Sequence, residues 1–217
     1  MTSRLVPGSG AEDLDRAALV LPHVEPGMAV GLLGGSFNPP HPGHRLVAEL
    51  ALRRLELDQV WWMVTPGNPL KDHGSLRPLA ERVAASRVIA KDPRIFVTAF
   101  EARYRVRYTA DTLALLHRLR PDVTFVWIMG ADSLASFHRW QDWRGIAATT
   151  PIAVVDRPGA TLSLLSSPAA LTLARSRIRE SEAGRLKHRK PPAWVFLHGP
   201  RSSFSSSALR AGLRPTS

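Results

Sequence analysis

The chain has 217 residues, of which 44% are hydrophobic, and this is enough for one packed domain. It contains no cysteine, which excludes disulfides, thiolate metal ligands and a cysteine nucleophile. No apolar run reaches the roughly 18 residues of a membrane helix, and residues 1–27 lack the pattern of a signal peptide, so a soluble cytoplasmic protein is expected. The formal net charge of +11 suits either a nucleic acid or a polyanionic small substrate, and it does not separate the two.

Apolar strand patterns alternate with helical patterns along most of the chain. Residues 1–27 have mixed charge with several prolines and glycines, which predicts a partly ordered leader, and residues 28–217 are predicted to form a single domain. The alternation predicts an α/β fold with a doubly wound parallel sheet, whose ligands bind beyond the carboxyl ends of the strands. The predicted strands are 28–33, 60–64, 95–98, 123–129, 152–155 and 194–197, and the predicted helices lie near 43–55, 78–90, 109–119 and 165–180.

The segment after the first strand carries the strongest functional signal. Residues 34–44 read Gly-Gly-Ser-Phe-Asn-Pro-Pro-His-Pro-Gly-His, at a predicted strand-to-helix turn. Glycine lets the backbone approach an anion closely, and the free N–H groups at a helix start favour negative charge. If the helix begins near Pro42, His41 and His44 lie roughly on one face and can donate to the same polyphosphate. An ordinary glycine and proline loop would not explain two histidines, so we predict a nucleotide-phosphate site.

Four later features are ambiguous when each is considered alone. The serines of 205–207 with Arg210 could simply cap a helix, or could bind phosphate oxygens while Arg210 supplies a cation. Thr109 is a plausible N-cap, and Asp132, after a glycine at the end of a strand, could cap a short helix or bind a ribose hydroxyl or a substrate group. Trp140 could be a core residue or could stack on a flat ring.

Taken together, these segments resemble a known superfamily. The pattern G-x-F-x-P-x-H-x-G-H of the H-x-G-H nucleotidyltransferases matches residues 35–44 at every fixed position, and their second signature, close to S-x-T-x-x-R, matches 205–210 with Ser207 in place of threonine. Residues 130–134, Trp140 and the sequence Asp-Arg-Pro-Gly at 156–159 extend the likeness to bacterial nicotinate-nucleotide adenylyltransferases over residues 31–210. This resemblance implies a Rossmann-like fold of the nucleotidyltransferase type.

The resemblance also implies an activity and a set of site residues. It implies adenylyl transfer from ATP to nicotinate mononucleotide, giving deamido-NAD and pyrophosphate in NAD biosynthesis, with Mg²⁺ held mainly by phosphates and water. The residues expected to act in catalysis are His41, His44 and Arg210. Those expected to bind ATP are Gly34, Gly35, Ser36, Phe37, His41, His44, Gly130, Asp132, Ser205, Ser206, Ser207 and Arg210. Those expected to bind the acceptor are Asn68, Lys71, Thr109, Asp132, Trp140 and Arg157.

Two departures from the family pattern and two rival functions accompany this prediction. Gly67 stands where many relatives have a second asparagine, and the chain stops soon after Arg210, where relatives usually continue. The nearer rival is another small-molecule nucleotidyltransferase of the superfamily, for example one acting on phosphopantetheine. A basic RNA-binding module would explain the charge but would leave both motifs as coincidence. The expected partners are small molecules, without a membrane or nucleic acid, and a homo-oligomer is left open.

Overall fold

The molecule is built around one six-stranded parallel sheet. The computed structural model describes residues 15–67, 76–156 and 166–199. The sheet order is β3-β2-β1-β4-β5-β6, and every neighbouring pair is parallel. This confirms the predicted α/β fold with a doubly wound sheet. The strands are β1 (Ala29–Gly35), β2 (Gln59–Val64), β3 (Ile95–Thr98), β4 (Thr124–Gly130), β5 (Ile152–Val155) and β6 (Trp194–Leu197).

The strands form where the sequence has short, nearly continuous apolar runs. Every residue of β2 and of β5 is buried, as expected for strands covered on both faces. Leu32 of β1 pairs with Trp61 on one side and with Trp127 on the other, so the centre of the sheet is filled by large side chains. All six predicted strands are present, and their bounds differ from the prediction by at most two residues.

Helices cover both faces of the sheet. The α-helices are α1 (Pro42–Arg54), α2 (Leu79–Ile89), α3 (Phe100–Tyr104), α4 (Thr109–Leu119), α5 (Ala131–Ser136), α6 (Trp143–Thr149) and α7 (Pro168–Thr172), and the 3₁₀ helices are Arg16–Leu19, Phe137–Arg139, Ala174–Ser176 and Glu180–His188. Three of the four predicted helices are present as α1, α2 and α4. The fourth, at 165–180, is wrong, because the chain there breaks into α7 and short 3₁₀ turns. The N–H of Ile178 donates to the carbonyl of Trp194 at 2.8 Å, so this stretch pairs with β6 instead of continuing a helix.

The core consists of two clusters on the two faces of the sheet. Trp62 belongs to one cluster together with α1 and α2 residues such as Val47 and Val83. The neighbouring Trp61 belongs to the other cluster, with α4 and α5 residues such as Leu113 and Leu134. Successive strand residues point to opposite faces, so adjacent tryptophans supply the two clusters.

Part of the predicted leader packs on the sheet. Ala18, in the 3₁₀ helix Arg16–Leu19, is completely buried. Its carbonyl accepts hydrogen bonds from the N–H of Ala99, at 2.7 Å, and from the hydroxyl of Thr98, at 3.2 Å. The hydroxyl of Thr98 also lies 3.1 Å from the carbonyl of Val20. A division of the chain into a leader and a domain at residue 27 remains a prediction.

The strand order defines where a ligand is expected. From β1 the chain runs outward through β2 to β3, and it then returns to β4 on the other side of β1. In open parallel sheets the crevice beyond the carboxyl ends at such a reversal is the usual ligand site. Within the described ranges, no helix is long and apolar enough to span a bilayer.

Candidate functional site

The turn between β1 and α1 stands at this reversal point. β1 ends at Gly35, and α1 begins at Pro42, which confirms the predicted strand-to-helix turn. His41 is the N-cap of α1 and has an extended backbone. Phe37 has φ of 45°, an uncommon backbone conformation for a bulky residue, and the Asn38–Pro39 peptide bond is cis. The left-handed backbone of this turn is therefore at Phe37, since neither Gly34 nor Gly35 has a positive φ.

The two histidines of the motif are adjacent and buried. Their ring centroids are 3.9 Å apart, and the residues are 1% and 9% exposed for His41 and His44. The backbone N–H of His41 donates to Nδ1 of His44 at 3.2 Å. Because that nitrogen accepts, a neutral His44 carries its proton on Nε2, which is then a donor. The expected proximity of these two rings is confirmed, whereas their action on a polyphosphate stays a prediction.

Two aromatic rings of the core pack against His44. The ring of Phe37 lies 4.8 Å from that of His44 and stacks on Trp62 at 5.1 Å with an interplanar angle of 16°. Trp62 also meets the edge of His44 at 6.1 Å. Since Phe37 and Trp62 are fully buried in the core, the column of Trp62, Phe37, His44 and His41 runs from the sheet to the start of α1. Such packing restricts the imidazoles to a narrow range of orientations.

Gly34 has a packing role that the sequence did not indicate. A Cβ placed on Gly34 would lie 2.7 Å from Cη2 of Trp127, closer than real contacts allow. The same atom on Gly35 would lie 3.3 Å from the Phe37 ring. Thus the first glycine makes room for a tryptophan of β4, and the second leaves the Phe37 ring in place.

The end of β4 lies beside the motif because β4 pairs with β1. Gly130 ends the strand and is the N-cap of α5, and Asp132 is the second residue of that helix and is exposed. Asp132 therefore does not cap the helix, which was one of its two interpretations. It stands at the carboxyl edge of the sheet next to the β1 turn, where a substrate could meet it.

Thr109 and Trp140, the expected acceptor residues, also belong to elements near this edge. Thr109 is the first residue of α4, and the N-cap is Tyr108, so the prediction of Thr109 as the cap is wrong by one residue. Because α4 leads into the amino end of β4, the start of α4 lies toward the carboxyl edge.

Trp140 is partly buried, and its ring makes edge contacts with Trp127 at 6.1 Å and Phe137 at 5.4 Å. It thus combines core contact with partial exposure.

Several predicted site residues lie outside the described residues. These are Asn68, Lys71, Arg157, Ser205, Ser206, Ser207 and Arg210. Their assignment to ATP or to the acceptor rests on the sequence alone. Among the residues that the structure describes, no group of three or more His, Cys, Asp or Glu could hold a metal ion.

Two buried ionisable residues, Glu101 and Arg82, were not among the predicted site residues. Glu101 of α3 is 6% exposed, and Thr112 of α4 donates to its Oε1 at 2.6 Å. Burial raises the pKa of Glu101 to about 7, and the hydrogen bond from Thr112 opposes that rise. Arg82 of α2 is 1% exposed and contacts the carbonyl of Ser36 in the motif turn. A single charged residue in an amphipathic helix gives no sequence signal for burial.

Comparison with known proteins places most of the chain among related sequences. A family described as cytidylyltransferase-like matches residues 32–212. Proteins named "probable nicotinate-nucleotide adenylyltransferase" from Mesorhizobium japonicum and Brucella abortus are 66% and 67% identical to this chain. These matches cover 88% and 84% of this chain and 97% and 94% of the relatives.

A solved structure shares the fold. Plasmodium falciparum nicotinic acid mononucleotide adenylyltransferase complexed with NaAD aligns with a TM-score of 0.65. The alignment covers 85% of this chain and 83% of that chain. At 18% sequence identity, this likeness concerns the architecture alone.

Proposed function

Because the chain belongs to the cytidylyltransferase-like family and, within it, to the nicotinate-nucleotide adenylyltransferases, we propose that it transfers the adenylyl group of ATP to nicotinate mononucleotide. The products are deamido-NAD and pyrophosphate, and the reaction belongs to NAD biosynthesis. The observation that carries the proposal is the pair of adjacent buried imidazoles at the start of α1, at the reversal point of a parallel sheet.

The chemistry needs positioned charge more than a reactive side chain. A phosphate oxygen of nicotinate mononucleotide attacks the α-phosphorus of ATP, a new P–O bond forms, and the bond from that phosphorus to the departing pyrophosphate breaks. The attacking phosphate is already ionised, so no protein nucleophile is required. In this proposal His41, His44 and Arg210 donate to the polyphosphate as negative charge builds on the leaving group. Donors fixed beforehand stabilise such charge most effectively.

The nucleotide contacts are assigned from the turn and the neighbouring strand ends. Gly34 and Gly35 end β1, and Ser36 and Phe37 begin the turn that follows it. The neighbouring strand β4, which pairs with β1, ends at Gly130. We therefore assign ATP to the crevice between these two strand ends, with Asp132 on a ribose hydroxyl. Ser205, Ser206 and Ser207 complete this assignment on sequence grounds.

The acceptor is assigned to the side of the crevice formed by α4 and the segment after α5. Trp140 has a partly exposed ring that is held on edge by Trp127 and Phe137, which suits stacking on a pyridine. Thr109 lies at the start of α4, where helix N–H groups favour a carboxylate. Asn68, Lys71 and Arg157 are assigned to the same substrate by resemblance.

We also propose that Mg²⁺ binds together with the phosphates of ATP. Mg²⁺ keeps several waters and binds ATP through its phosphate oxygens, so it needs at most one or two protein oxygens. We therefore assign the ion to phosphate oxygens and water and name no protein ligand for it. When bound, Mg²⁺ would reduce the charge of the leaving pyrophosphate.

Pyrophosphate release with a panel of acceptors tests the function. We expect nicotinate mononucleotide to give the highest kcat/KM, above nicotinamide mononucleotide, because helix-end amides and basic residues favour a carboxylate over a neutral amide. Equal values for the two pyridine nucleotides would contradict the acceptor assignment. Phosphopantetheine as the best acceptor would establish the rival transferase, and a lack of release with every acceptor together with RNA binding would establish the binding module.

The proposed function also implies a cellular compartment and a class of partners. We place it in the cytoplasm because ATP, the adenylyl donor, is supplied there. Small molecules are the proposed partners, and self-association is left to a measurement of molar mass in solution.

A further inference from the structure

Arg82 is a buried cation that the transfer chemistry does not use. It lies in the first turn of α2 and is among the largest fully buried side chains of the protein. Burial lowers the pKa of Arg82 to about 10, so the guanidinium stays charged at neutral pH. No ion pair with a carboxylate forms at Arg82 within the described residues. A charge buried this deeply is costly unless it is hydrogen-bonded, and among the described residues Arg82 is held by neutral acceptors.

Those contacts are four backbone carbonyls from two connections, one after β1 and one after β2. Nη1 of Arg82 donates to the carbonyl of Ser36 at 2.7 Å and to that of Thr65 at 2.8 Å. Nη2 donates to the carbonyl of Pro66 at 3.3 Å, and Nε donates to that of Arg77 at 2.9 Å. The planar fork of an arginine can direct donors to several acceptors at once, which a lysine ammonium cannot reproduce.

The four carbonyls join the motif turn to the neighbouring connection. Ser36 belongs to the turn after β1, whereas Thr65 and Pro66 follow β2, and Arg77 precedes α2. Two further bonds tie the same parts together. The N–H of Thr65 donates to the carbonyl of Gly35 at 3.0 Å, and the N–H of Arg77 lies 3.3 Å from Oδ1 of Asn38. The guanidinium is the centre of this network.

The contact with Ser36 links Arg82 to the histidines. Ser36 immediately precedes Phe37, whose unusual φ of 45° places its ring against His44. A shift of the Ser36 carbonyl would therefore move the ring on which His44 rests. It would also disturb the N–H of His41 that fixes Nδ1 of His44.

We infer that Arg82 is a positioning residue, which holds the β1 turn and the connection after β2 in the arrangement that aligns His41 and His44 with the polyphosphate of ATP. This inference rests on the proposed function. Arg82 acts through backbone carbonyls and does not itself touch the substrates. A displacement of about 1 Å at reacting groups can cost 100-fold in rate, so a positioning residue at this depth affects turnover strongly.

The substitution Arg82→Lys tests the inference, with Arg87→Lys as the matched control. Arg87 lies on the same helix, and its 43% exposed side chain pairs with Asp15 at 3.4 Å. We expect Arg82→Lys to lower kcat by roughly 10- to 100-fold at saturating ATP and acceptor, in protein shown to be folded by its melting curve. Arg87→Lys is expected to leave kcat unchanged. A wild-type kcat in folded Arg82→Lys would overturn the inference.

A second readout separates positioning from simple stabilisation and does not depend on the acceptor. The imidazole nitrogen signals of His44 in NMR report which nitrogen carries the proton. We expect the Nε2-protonated form in the free wild-type protein and a mixed population in Arg82→Lys, because the bond from His41 to Nδ1 loosens. Unchanged His44 signals would overturn the inference. If wild-type protein releases no pyrophosphate with any acceptor, the proposed function is wrong. The NMR signals of His44 would still show whether Arg82 positions its ring.

The wild-type protein provides a test if Arg82→Lys does not fold. We expect the Nε proton of Arg82 to exchange slowly with solvent and its signal to shift when ATP is added alone, because the carbonyls that it holds border the ATP site. An Nε signal that exchanges rapidly or that stays unmoved by ATP would overturn the inference.

Discussion

The ring of His44 is held in a fixed orientation by neighbouring groups. Its Nδ1 accepts the N–H of His41, so the opposite nitrogen is the donor in the neutral ring. Its face rests on Phe37, which limits rotation. A donor held this way needs little reorganisation as charge develops on a leaving group. Under the proposed function, the two nitrogens of His44 therefore have separable roles: Nδ1 holds the ring in place and Nε2 donates to the polyphosphate.

The pair of substitutions His44→Asn and His44→Gln separates the two nitrogens. In Asn the side-chain oxygen lies near the position of Nδ1, whereas in Gln the amide reaches the position of Nε2. We expect His44→Asn to keep a near-wild-type melting temperature and to lose about 100-fold or more in kcat. His44→Gln should retain more activity and lose more stability. A folded His44→Asn variant with nearly normal kcat would show that His44 does not act on the phosphates.

Trp140 has features of a core residue and of a residue that stacks on a ligand. If it stacks on the pyridine, Trp140→Ala should raise the KM for the acceptor several-fold and leave the KM for ATP unchanged, since a ring stack is worth on the order of 1 kcal/mol. Phe137→Ala is the control for burial, because Phe137 is fully buried and its loss should cost roughly 3 to 5 kcal/mol of stability. Thermal melts and acceptor titrations on both variants distinguish the roles. A Trp140→Ala variant as unstable as Phe137→Ala, with unchanged acceptor KM, would make Trp140 a core residue.

The elements at the centre of the sheet are packed so closely that side-chain size matters at the end of β1. Gly34 faces the Trp127 ring of β4, and Trp127 in turn meets Trp140. A change at Gly34 is therefore transmitted from strand to strand and then to the predicted acceptor side.

Gly34→Ala is expected to cost roughly 1 to 3 kcal/mol of stability, because a methyl group would overlap the rigid indole of Trp127. Gly35→Ala is the matched control, since its new methyl would meet the Phe37 ring at 3.3 Å instead of 2.7 Å. Urea unfolding of both variants measures the difference. Equal stability losses would contradict the overlap with Trp127.

Helices α3 and α4 are joined by a buried acid whose protonation should affect stability. The folded pKa of Glu101, about 7, lies above its ordinary value of 4.5, so the folded protein binds the proton more tightly than the unfolded chain. The resulting stabilisation is fully present below pH 4.5 and is lost as the pH rises through about 7.

Glu101→Gln should remove this dependence while keeping a polar partner for Thr112. We expect the free energy of unfolding of wild-type protein, relative to Glu101→Gln, to fall by up to about 3 kcal/mol as the pH rises from 4.5 to 8. Urea unfolding of both proteins across that range measures it. A difference that stays constant with pH would show that Glu101 has an ordinary pKa.

Sequence patterns predicted elements well where local preference and tertiary packing agree. All six strands are short apolar runs that parallel pairing buries, so periodicity was sufficient. The helix predicted at 165–180 was wrong because Ile178 pairs with Trp194, a partner that local composition does not reveal. The short helices α3 and α6 were missed for a similar reason, since helices of five and seven residues depend on packing more than on propensity.

Across the whole molecule, the turn at residues 34–44 could be predicted from the sequence, whereas the distant residues that pack against it could not. Residues 34–44 are contiguous, so spacing alone placed His41 and His44 together. Arg82 and Ser36 are 46 positions apart, and their contact exists only after β1 and β2 pair. The packing of Gly34 against Trp127 likewise depends on the β1–β4 register. Groups that come from distant segments need the topology before they can be recognised.

The residues before β1 matter for how the protein behaves when it is shortened. β3 is the outermost strand on its side of the sheet, and the carbonyl of Ala18 accepts bonds from Thr98 and Ala99 at its end. A chain trimmed to start at Met28 would lose these partners and expose apolar surface beside the outer edge of β3, which favours edge-to-edge association. Trimming to Asp15 would keep them. Light scattering would then show the shorter protein assembling into large particles, while the longer one stays dispersed.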